Sequence, residues 1–450
     1  MKLTTTYAIA IAGLVVAAGI VGAAGPALGA EDANTIDACR TISEPGVYEL
    51  QTNLTDDVDS PDACIDVESD DVAIDGNGHR ITMAEPEGYL DDGSPTPYAV
   101  QADGVENVTV TTLTADDWGF RGNAGAAGLL FENASDVTVT DITAVSSRDG
   151  IVVKNSSDVT VRDVDLNGGG ISPMYQQSGS GVLLSNVDNA AVRGGVVEEW
   201  NIGIAVEESA NVAIADLIVG KPGDTGSPDT RTGVDVRTTD NATIRNSTIS
   251  SAKRTGISLA RGVSDVVVAD NRISRHPGAA IDVAVFDADG GANVIRNNTI
   301  TKSEDGIEVR STTSELRIEG NRLTDNGDGV GVESPNVCKP SRADSEFVVV
   351  HENVIENNDV GIRNEGGDAV NATRNYWGAA DGPSSVADSD APFGETDPEV
   401  PLEDPVTGTL ADGSGDSVSE FPDENESGIA NVRFDPWLEM PPTGTTNETA

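Results

Sequence analysis

Basic residues are scarce in this sequence. Its 450 residues include 27 lysines and arginines against 76 aspartates and glutamates, which gives a net charge of −49. Nucleic acids and anionic membranes would repel such a surface, so binders of either class are excluded. Aromatic residues make up 4% of the chain, which excludes a core built on large rings. With three histidines and four methionines, soft ligands for a copper site are also sparse.

Lysine is the rarer of the two bases, with six residues in the whole chain. Abundant acid with little lysine is typical of a protein from a saline habitat, where concentrated salt screens the repulsion between surface charges. We therefore expect a halophilic protein, and we expect it to be a monomer.

The first thirty residues have the pattern of an export signal. Lys2 is followed by an apolar run and then by small residues that end at Ala30. This order predicts a secretory signal peptide over residues 1–30, although the run is almost long enough to be a retained membrane anchor. The mature chain has no second apolar span, so we expect a secreted protein of the extracellular space or cell surface.

Cysteine is limited to three residues. Cys39 and Cys64 lie 25 residues apart near the start of the mature chain, and export favours a disulfide between them. Buried free thiols are the alternative. Cys338 lies far downstream and has no obvious partner.

The body of the chain is one repeat used many times. Segments that begin with Gly or Ala followed by alternating aliphatic residues recur at intervals of 22 to 24 residues where no insertion intervenes. Period-two alternation of Val, Ile and Thr predicts strands, and fixed-period similarity predicts a solenoid. The sequence therefore predicts an all-β protein, a right-handed parallel β-helix of eleven or twelve rungs with a cap at each end. The starts are Ala99, Gly128, Gly150, Gly181, Gly203, Gly233, Gly256, Ala280, Gly306, Gly329 and Gly361.

An asparagine column follows the second strand of the later repeats. Stacked rungs lie ~4.8 Å apart, so equivalent residues would lie above one another and bond along the stack. We predict a structural role for this column. Its members are Asn271, Asn298, Asn321, Asn353 and Asn375.

Three stretches carry a family resemblance: the opening TISEPGVYELQTNLTDD, the repeated GIxV and VxVxDNxI rungs, and the closing NYWGAADGPS with NVRFDPWL. They resemble secreted archaeal parallel β-helix proteins of the pectate-lyase-like superfamily, which includes the NosD-like periplasmic proteins. The resemblance implies a β-helix with an N-terminal cap over residues 31–378. An acidic excursion and C-terminal capping segment would occupy residues 379–440, and residues 441–450 would form a disordered tail.

The first strands of the later repeats place charged residues on one outward face. Alternation directs Asp235, Asp282, Glu308 and Arg310 outward, and these are the candidate catalytic residues. A second outward position of the first strands, the neighbouring turns and the insertions before first strands add candidate substrate-binding residues, which are Arg237, Arg254, His276, Trp118, Tyr175 and Trp200. A cleft with carboxylates on its floor and rings on its wall suits a polysaccharide.

Several functions fit this face. We expect polysaccharide binding without turnover, because the catalytic signatures of related hydrolases and epimerases are absent. A lyase or glycoside hydrolase is the second hypothesis, since neighbouring carboxyls suit both mechanisms. A structural cell-surface spacer is the third, in which these acids are only part of a salt-adapted surface.

Two further kinds of site are suggested by short motifs. Asp287 and Asp289 form part of a calcium-loop pattern, so calcium is the cofactor we consider. Asn-x-Ser/Thr motifs mark candidate glycosylation sites. Those within the predicted β-helix are Asn53, Asn107, Asn133, Asn155, Asn241, Asn246, Asn297 and Asn371.

Overall fold

The structure is a computed structural model that describes residues 33–442 apart from 57–62, 84–97, 119–125, 170–178, 221–229, 287–289, 334–346, 367, 387–400 and 420–427. The predicted signal peptide, Cys338 and most of the predicted tail lie outside the described residues. Residues from Asn34 onward belong to one compact unit.

The described residues form strands joined by short turns. The strands are β1 (Asn34–Ile36), β2 (Arg40–Ile42), β3 (Gly46–Leu50), β4 (Leu54–Asp56), β5 (Ala63–Val67), β6 (Val72–Asp75), β7 (Arg80–Met83), β8 (Tyr98–Asp103), β9 (Glu106–Asp116), β10 (Ala127–Glu132), β11 (Ser135–Val145), β12 (Asp149–Asn167), β13 (Ser180–Glu198), β14 (Ile202–Glu207), β15 (Ala210–Val219), β16 (Thr232–Arg237), β17 (Asp240–Arg245) and β18 (Thr248–Ser250). They continue with β19 (Thr255–Leu259), β20 (Val267–Ala269), β21 (Arg272–Ser274), β22 (Ala279–Ala284), β23 (Asn293–Arg296), β24 (Thr299–Thr301), β25 (Asp305–Ser311), β26 (Leu316–Glu319), β27 (Arg322–Thr324), β28 (Asp328–Val332), β29 (Val348–His351), β30 (Val354–Glu356), β31 (Val360–Asn364), β32 (Val370–Asn371), β33 (Pro383–Val386), β34 (Gly415–Ser419) and β35 (Val432–Arg433).

Every strand pairing is parallel and joins one repeat to the next, so the chain forms a parallel β-helix, as predicted. In the first-strand ladder, β16 pairs with β19, which continues through β22, β25 and β28 to β31. The ladder extends beyond the eleven repeat starts, because β2 and β5 precede them and β34 follows them. No helix among the described residues is long and apolar enough to cross a membrane.

The core is a stack of small aliphatic side chains. Ile151 and Val153 of one rung lie in register with Val182 and Leu184 of the next, and all four are buried. Repeating this arrangement along the axis produces one continuous core of Val, Ile, Leu and Ala. Few large rings join this core: Phe131 of β10 and Tyr48 of β3 are buried within strands, and Trp377 and Phe434 are buried near the C-terminal end.

The asparagine column is confirmed as structural. Asn298 donates its backbone N–H and its Nδ2 to Oδ1 of Asn321, at 2.9 and 3.0 Å. Asn321 in turn donates Nδ2 to Ile295 O at 2.8 Å and to Oδ1 of Asn353 at 3.0 Å. Each amide thus satisfies backbone groups that the bend would leave unpaired.

The described part of the predicted acidic excursion is ordered. β33 pairs with β34, and β34 joins the first-strand ladder through β31. Near the end of the chain, β35 pairs with β32. These strands cover the last rung, so the described residues of this segment continue the β-helix instead of forming a loose loop. The sequence did not reveal this because the segment lacks the Gly-led repeat.

The predicted disulfide is present. Cys39 and Cys64 are bonded, and they lie beside the paired strands β2 and β5. The bond therefore ties the first rung of the first-strand ladder to the second.

Candidate functional site

Four predicted residues do come together on the first-strand face. Asp235, Ser258, Asp282, Glu308, Gly331 and Arg363 occupy successive positions of one register column. Arg237, Arg310 and Glu333 flank this column. We call these nine residues the charged strip.

The charged strip continues a longer column. Towards the N-terminus the same column holds Leu130, Val152, Leu183 and Ala205. Of these, Leu130, Val152 and Ala205 are buried even though alternation directs them outward. The column therefore changes from apolar to polar and charged at Asp235, which is itself buried, and exposed arginines lie beside the charged part at Arg237 and Arg310.

Arg310 lies beside a local irregularity of the ladder. The pairing of β22 with β25 shifts between Val283 and Ala284, so that Val283 opposes Val309 while Ala284 opposes Ser311. Alternation nevertheless continues through β25, and Arg310 is exposed on the outward face, as predicted. Its Nε donates to Asp282 Oδ1 at 2.7 Å and its Nη2 donates to Asp282 Oδ2.

This bidentate pair restricts the chemical roles open to Asp282. Both of its carboxylate oxygens are occupied by the guanidinium, so Asp282 holds Arg310 in place and is not a free nucleophile. Burial raises the pKa of Asp282 from its ordinary value, and the hydrogen bond from Arg310 opposes that rise.

Glu308 is the most perturbed carboxyl of the strip. Burial, a hydrogen bond with the Glu333 carboxyl and the nearby charge of Asp282 together raise the pKa of Glu308 to about 8. The Nε of Arg310 lies 4.0 Å from Glu308 Oε2. The environment of Glu308 therefore favours its protonated form, beside the carboxyl of Glu333.

Two more carboxyls stack beside this pair. Asp305 and Asp328 are in register at the starts of β25 and β28. Burial and then the charges of Asp328 and Glu304 raise the pKa of Asp305 to about 6. Asp328 accepts from Arg363 Nε at 2.7 Å. Neither Asp328 nor Glu333 was among the predicted site residues, although Glu333 falls on an outward position two residues after Gly331.

Asp235 has an unusual environment at the other end of the strip. It is 4% exposed, and its Oδ2 lies 2.6 Å from Nη2 of Arg237. Its Oδ1 is buried and has no hydrogen-bond partner among the described residues. The next position of the column is Ser258, a small residue that separates Asp235 from Asp282.

Three of the predicted substrate-binding residues are corrected by the structure. Trp118 is buried and donates its Nε1 to Ile81 O at 3.1 Å. Trp200 is buried against the backbone of Gly150 and Gly181. His276 is 1% exposed, and burial lowers its pKa to about 4. All three rings fill corners of the core, so they cannot line an open cleft.

Some of the remaining predicted residues belong to the described part of the chain and others do not. Arg254 is exposed in the turn before β19, next to the strip. Tyr175, Asp287 and Asp289 lie outside the described residues. Of the glycosylation candidates, Asn53 is exposed and Asn371 is half-buried. The other six, which are Asn107, Asn133, Asn155, Asn241, Asn246 and Asn297, are exposed with positive φ between 50° and 57°.

Comparison with known proteins gives one family match. The family model described as periplasmic copper-binding protein (NosD) matches residues 165–384, slightly less than half of the chain. No curated protein matches this chain.

Solved structures share the fold at low identity. The Azotobacter vinelandii mannuronan C-5 epimerase AlgE4 A-module is 15% identical over 72% of this chain and 87% of its own, with a TM-score of 0.52. The Dettilon tailspike protein is 16% identical over 68% of this chain and 61% of its own, with a TM-score of 0.53. The periplasmic alginate epimerase AlgG is 16% identical over 72% and 73% of the two chains, with a TM-score of 0.47.

The described residues do not suit the copper that the family description names. Across the described ranges, no group of three or more His, Cys, Asp or Glu side chains is arranged to hold a metal ion. His276 is enclosed, with Nε2 3.4 Å from Ile249 O, and His351 contacts Thr373 Oγ1 at 3.1 Å. We therefore assign no copper chemistry to these residues.

Proposed function

We propose that this chain binds a polysaccharide outside the cytoplasm, along the charged strip. The observation that carries the proposal is a column of polar and charged residues that runs from Asp235 to Arg363, interrupted only by Gly331, with Glu308 and Arg363 half-buried and Arg310 exposed beside it. Rungs lie ~4.8 Å apart, so an extended sugar chain along the axis would meet a polar group at each of these rungs except that of Gly331. Carboxylates and guanidiniums offer the acceptors and donors that sugar hydroxyls require.

Several other features support this setting. The mannuronan epimerase with the same fold acts on a polysaccharide, and the matching family is described as periplasmic. The Cys39–Cys64 disulfide is typical of an oxidising compartment. The net charge of −49 suits a saline, extracytoplasmic habitat. We also propose that residues 1–30 are the signal that directs secretion of the chain.

Retention on immobilised polysaccharides tests the binding. The full chain is passed over neutral, uronate-rich and amino-sugar polymers at ~1 M salt, where the screening length is ~3 Å and unspecific attraction is small. We expect retention on one class, and we expect Glu308→Ala to weaken it by about tenfold, the effect of losing ~1.4 kcal/mol of binding.

Glu106→Ala is the matched control, because Glu106 is exposed on the second-strand ladder, away from the strip. It should bind like the unaltered chain. Failure of every polymer to bind would contradict the proposal and favour the spacer. Equal losses in both variants would place the binding site elsewhere.

A second candidate is turnover of the bound polymer, favoured by the raised pKa of Glu308. A carboxyl that keeps its proton at neutral pH can serve as general acid towards a glycosidic oxygen, with Glu333 as its carboxylate neighbour. Calcium remains a candidate cofactor through Asp287 and Asp289, so each assay is run with and without it.

Glu308→Gln separates binding from turnover, because glutamine copies the shape and hydrogen bonding of the protonated acid. If the strip is catalytic, we expect kcat to fall by about 10²–10⁴ while KM stays nearly unchanged. Activity of the unaltered chain should persist up to about pH 8 and decline above it, because Glu308 then loses its proton. New reducing ends would indicate hydrolysis, and new ultraviolet-absorbing unsaturated ends would indicate a lyase. Activity that survives Glu308→Gln would exclude this assignment.

A further inference from the structure

A column of arginines lies on the second-strand ladder of the β-helix, a different ladder from the one that carries the charged strip. The last outward position of the second strand holds Arg162, Arg193, Ala215, Arg245, Ala269 and Arg296 on six successive rungs. We call the four arginines of this set the arginine column. They are four of only 27 basic residues in the chain, and like charges in one column repel each other, so local stability does not account for their alignment.

Three members of the arginine column are free to bind a ligand. Arg162 is exposed, and its Nη1 lies 3.2 Å from Asp163 Oδ2. Arg193, Arg245 and Arg296 form no ion pair and no side-chain hydrogen bond within the described part of the chain. The Nε of Arg193 is buried, yet it has no acceptor there. The charged strip differs in this respect, because each of its arginines is held by a neighbouring carboxylate.

The surface beside the arginine column is built from small side chains. The other outward column of the same strands is half-buried and holds Thr160, Ala191, Ala213, Thr243, Val267 and Val294. Within the arginine column itself, Ala215 and Ala269 are buried between arginines. Acids occur in the turns that follow, at Asp163, Asp216 and Asp270, but none of them pairs with the three free arginines. A polymer lying along the axis therefore meets small side chains bordered by guanidiniums.

The spacing of the free arginines indicates the kind of anion that they bind. Arg193, Arg245 and Arg296 lie two rungs apart, a distance of ~10 Å when rungs are ~4.8 Å apart. A guanidinium binds the paired oxygens of a carboxylate or sulfate through two parallel hydrogen bonds. A nucleic-acid strand carries one phosphate per ~3.4 Å, about three times as dense, and the net charge of −49 would repel it. A polymer with sparser anionic groups reaches the arginines with less repulsion.

We infer that the arginine column binds an acidic polysaccharide, with Arg193, Arg245 and Arg296 each binding a carboxylate or sulfate group of the polymer. Arg193 and Arg245 are half-buried, so packing already orders their side chains and they lose little freedom on binding. An oxyanion at this column would also supply the acceptor that the buried Nε of Arg193 lacks. The site is separate from the charged strip and does not depend on the binding proposed there.

The test measures the affinity of the full chain for oligogalacturonate, dextran sulfate and neutral dextran, by calorimetry at ~1 M salt, where unspecific attraction is small. The first two probes distinguish a carboxylate ligand from a sulfate ligand. Arg193→Gln with Arg245→Gln should lower the affinity for the acidic polymer that binds by at least tenfold and leave any binding of dextran unchanged. Arg193→Lys with Arg245→Lys should cause a smaller loss, because lysine keeps the charge but cannot form two parallel hydrogen bonds.

Charge alone is controlled by a second pair of substitutions. Arg275 and Lys302 are exposed in the turns before β22 and β25, outside the arginine column. Arg275→Gln with Lys302→Gln removes two positive charges, as the first glutamine pair does, and should lower the affinity less than twofold. Urea unfolding shows whether each variant folds. If the first glutamine pair did not fold, the lysine pair would still report the loss of the paired hydrogen bonds.

The outcomes separate the arginine column from the charged strip. Glu308→Ala should change the affinity for the acidic polymer less than twofold. A tenfold loss in Glu308→Ala with none in Arg193→Gln and Arg245→Gln would place the acidic polymer on the strip, which overturns the arginine column and leaves the proposed polysaccharide binding in place. Equal losses in the two glutamine pairs, equal affinity for single-stranded DNA, or failure of both acidic polymers to bind would also overturn it.

Discussion

Replacing Asn321 with leucine should lower the free energy of unfolding by about 4 kcal/mol, because the change leaves two to three buried polar groups unsatisfied at ~1–3 kcal/mol each. Asn321 is 0% exposed, and its Oδ1 accepts from both nitrogens of Asn298. Leucine has nearly the same size but cannot accept these bonds or donate to Ile295 O. Urea unfolding of the full chain at constant salt measures the loss.

Two further variants define the origin of that loss. Asn321→Asp keeps the Oδ1 acceptor but places a charge in a buried site, so its destabilisation should shrink as the pH is lowered and the carboxyl is protonated. Asn297→Gly is the control, since Asn297 is exposed with φ of 55°, a conformation that glycine adopts freely. It should change stability by less than about 0.5 kcal/mol. A loss below 1 kcal/mol for Asn321→Leu would mean that the column is dispensable.

Much of the architecture could be predicted because it depends on local patterns repeated many times. Alternation along first strands placed Asp235, Asp282 and Glu308 in one column, and the register confirms it. The spacing of asparagines likewise predicted a stack, because residues one repeat apart become vertical neighbours. Each of these predictions depends on the same pattern in several repeats, so one irregular repeat does not change it.

Features that belong to a single rung could not be predicted in this way. The register shift between Val283 and Ala284 is one such feature, because the alternation of β25 continues past it without a change. The bidentate pair of Arg310 with Asp282 is another, because it depends on how one long side chain bends towards the neighbouring rung.

The misassigned rings share a physical cause. A turn residue can point inward or outward with the same sequence around it, so Trp200 and His276 were predicted to face a cleft. In the structure each ring packs where a rung begins with glycine. A Cβ at Gly181 would come within 3.1 Å of Trp200, one at Gly256 within 2.9 Å of His276, and one at Gly361 within 3.1 Å of Trp377. A bulky turn residue beside a Gly-led rung is therefore a signal for the core.

Acid should destabilise this fold through His276 in particular. Burial lowers the pKa of His276 to about 4 in the folded chain, against 6.5 for an exposed histidine. As the pH falls below 6.5, His276 binds a proton in the unfolded state but not in the folded state. Stability therefore decreases until the pH reaches the pKa of the folded chain. A difference of 2.5 in pKa corresponds to about 3 kcal/mol, lost between roughly pH 6.5 and pH 4.

His276→Asn isolates this contribution, because asparagine already occupies two later positions of the same turn column, Asn326 and Asn358. The column runs from His276 through Ser303 to these residues by backbone-to-side-chain hydrogen bonds. Urea unfolding at pH 7, 5.5 and 4.5 in constant salt should show a shallower acid loss for the variant, by about 2.4 kcal/mol between pH 7 and pH 4.5. Carboxyls with a raised pKa have the opposite effect on acid stability, because folding favours their protonated form. Asp149 is one of them, since burial raises its pKa to about 6. Comparing the two proteins cancels that effect. His79→Asn, at a half-buried histidine outside this column, should retain the full acid loss. Parallel pH curves for His276→Asn and the unaltered chain would show that protonation of His276 does not limit acid stability.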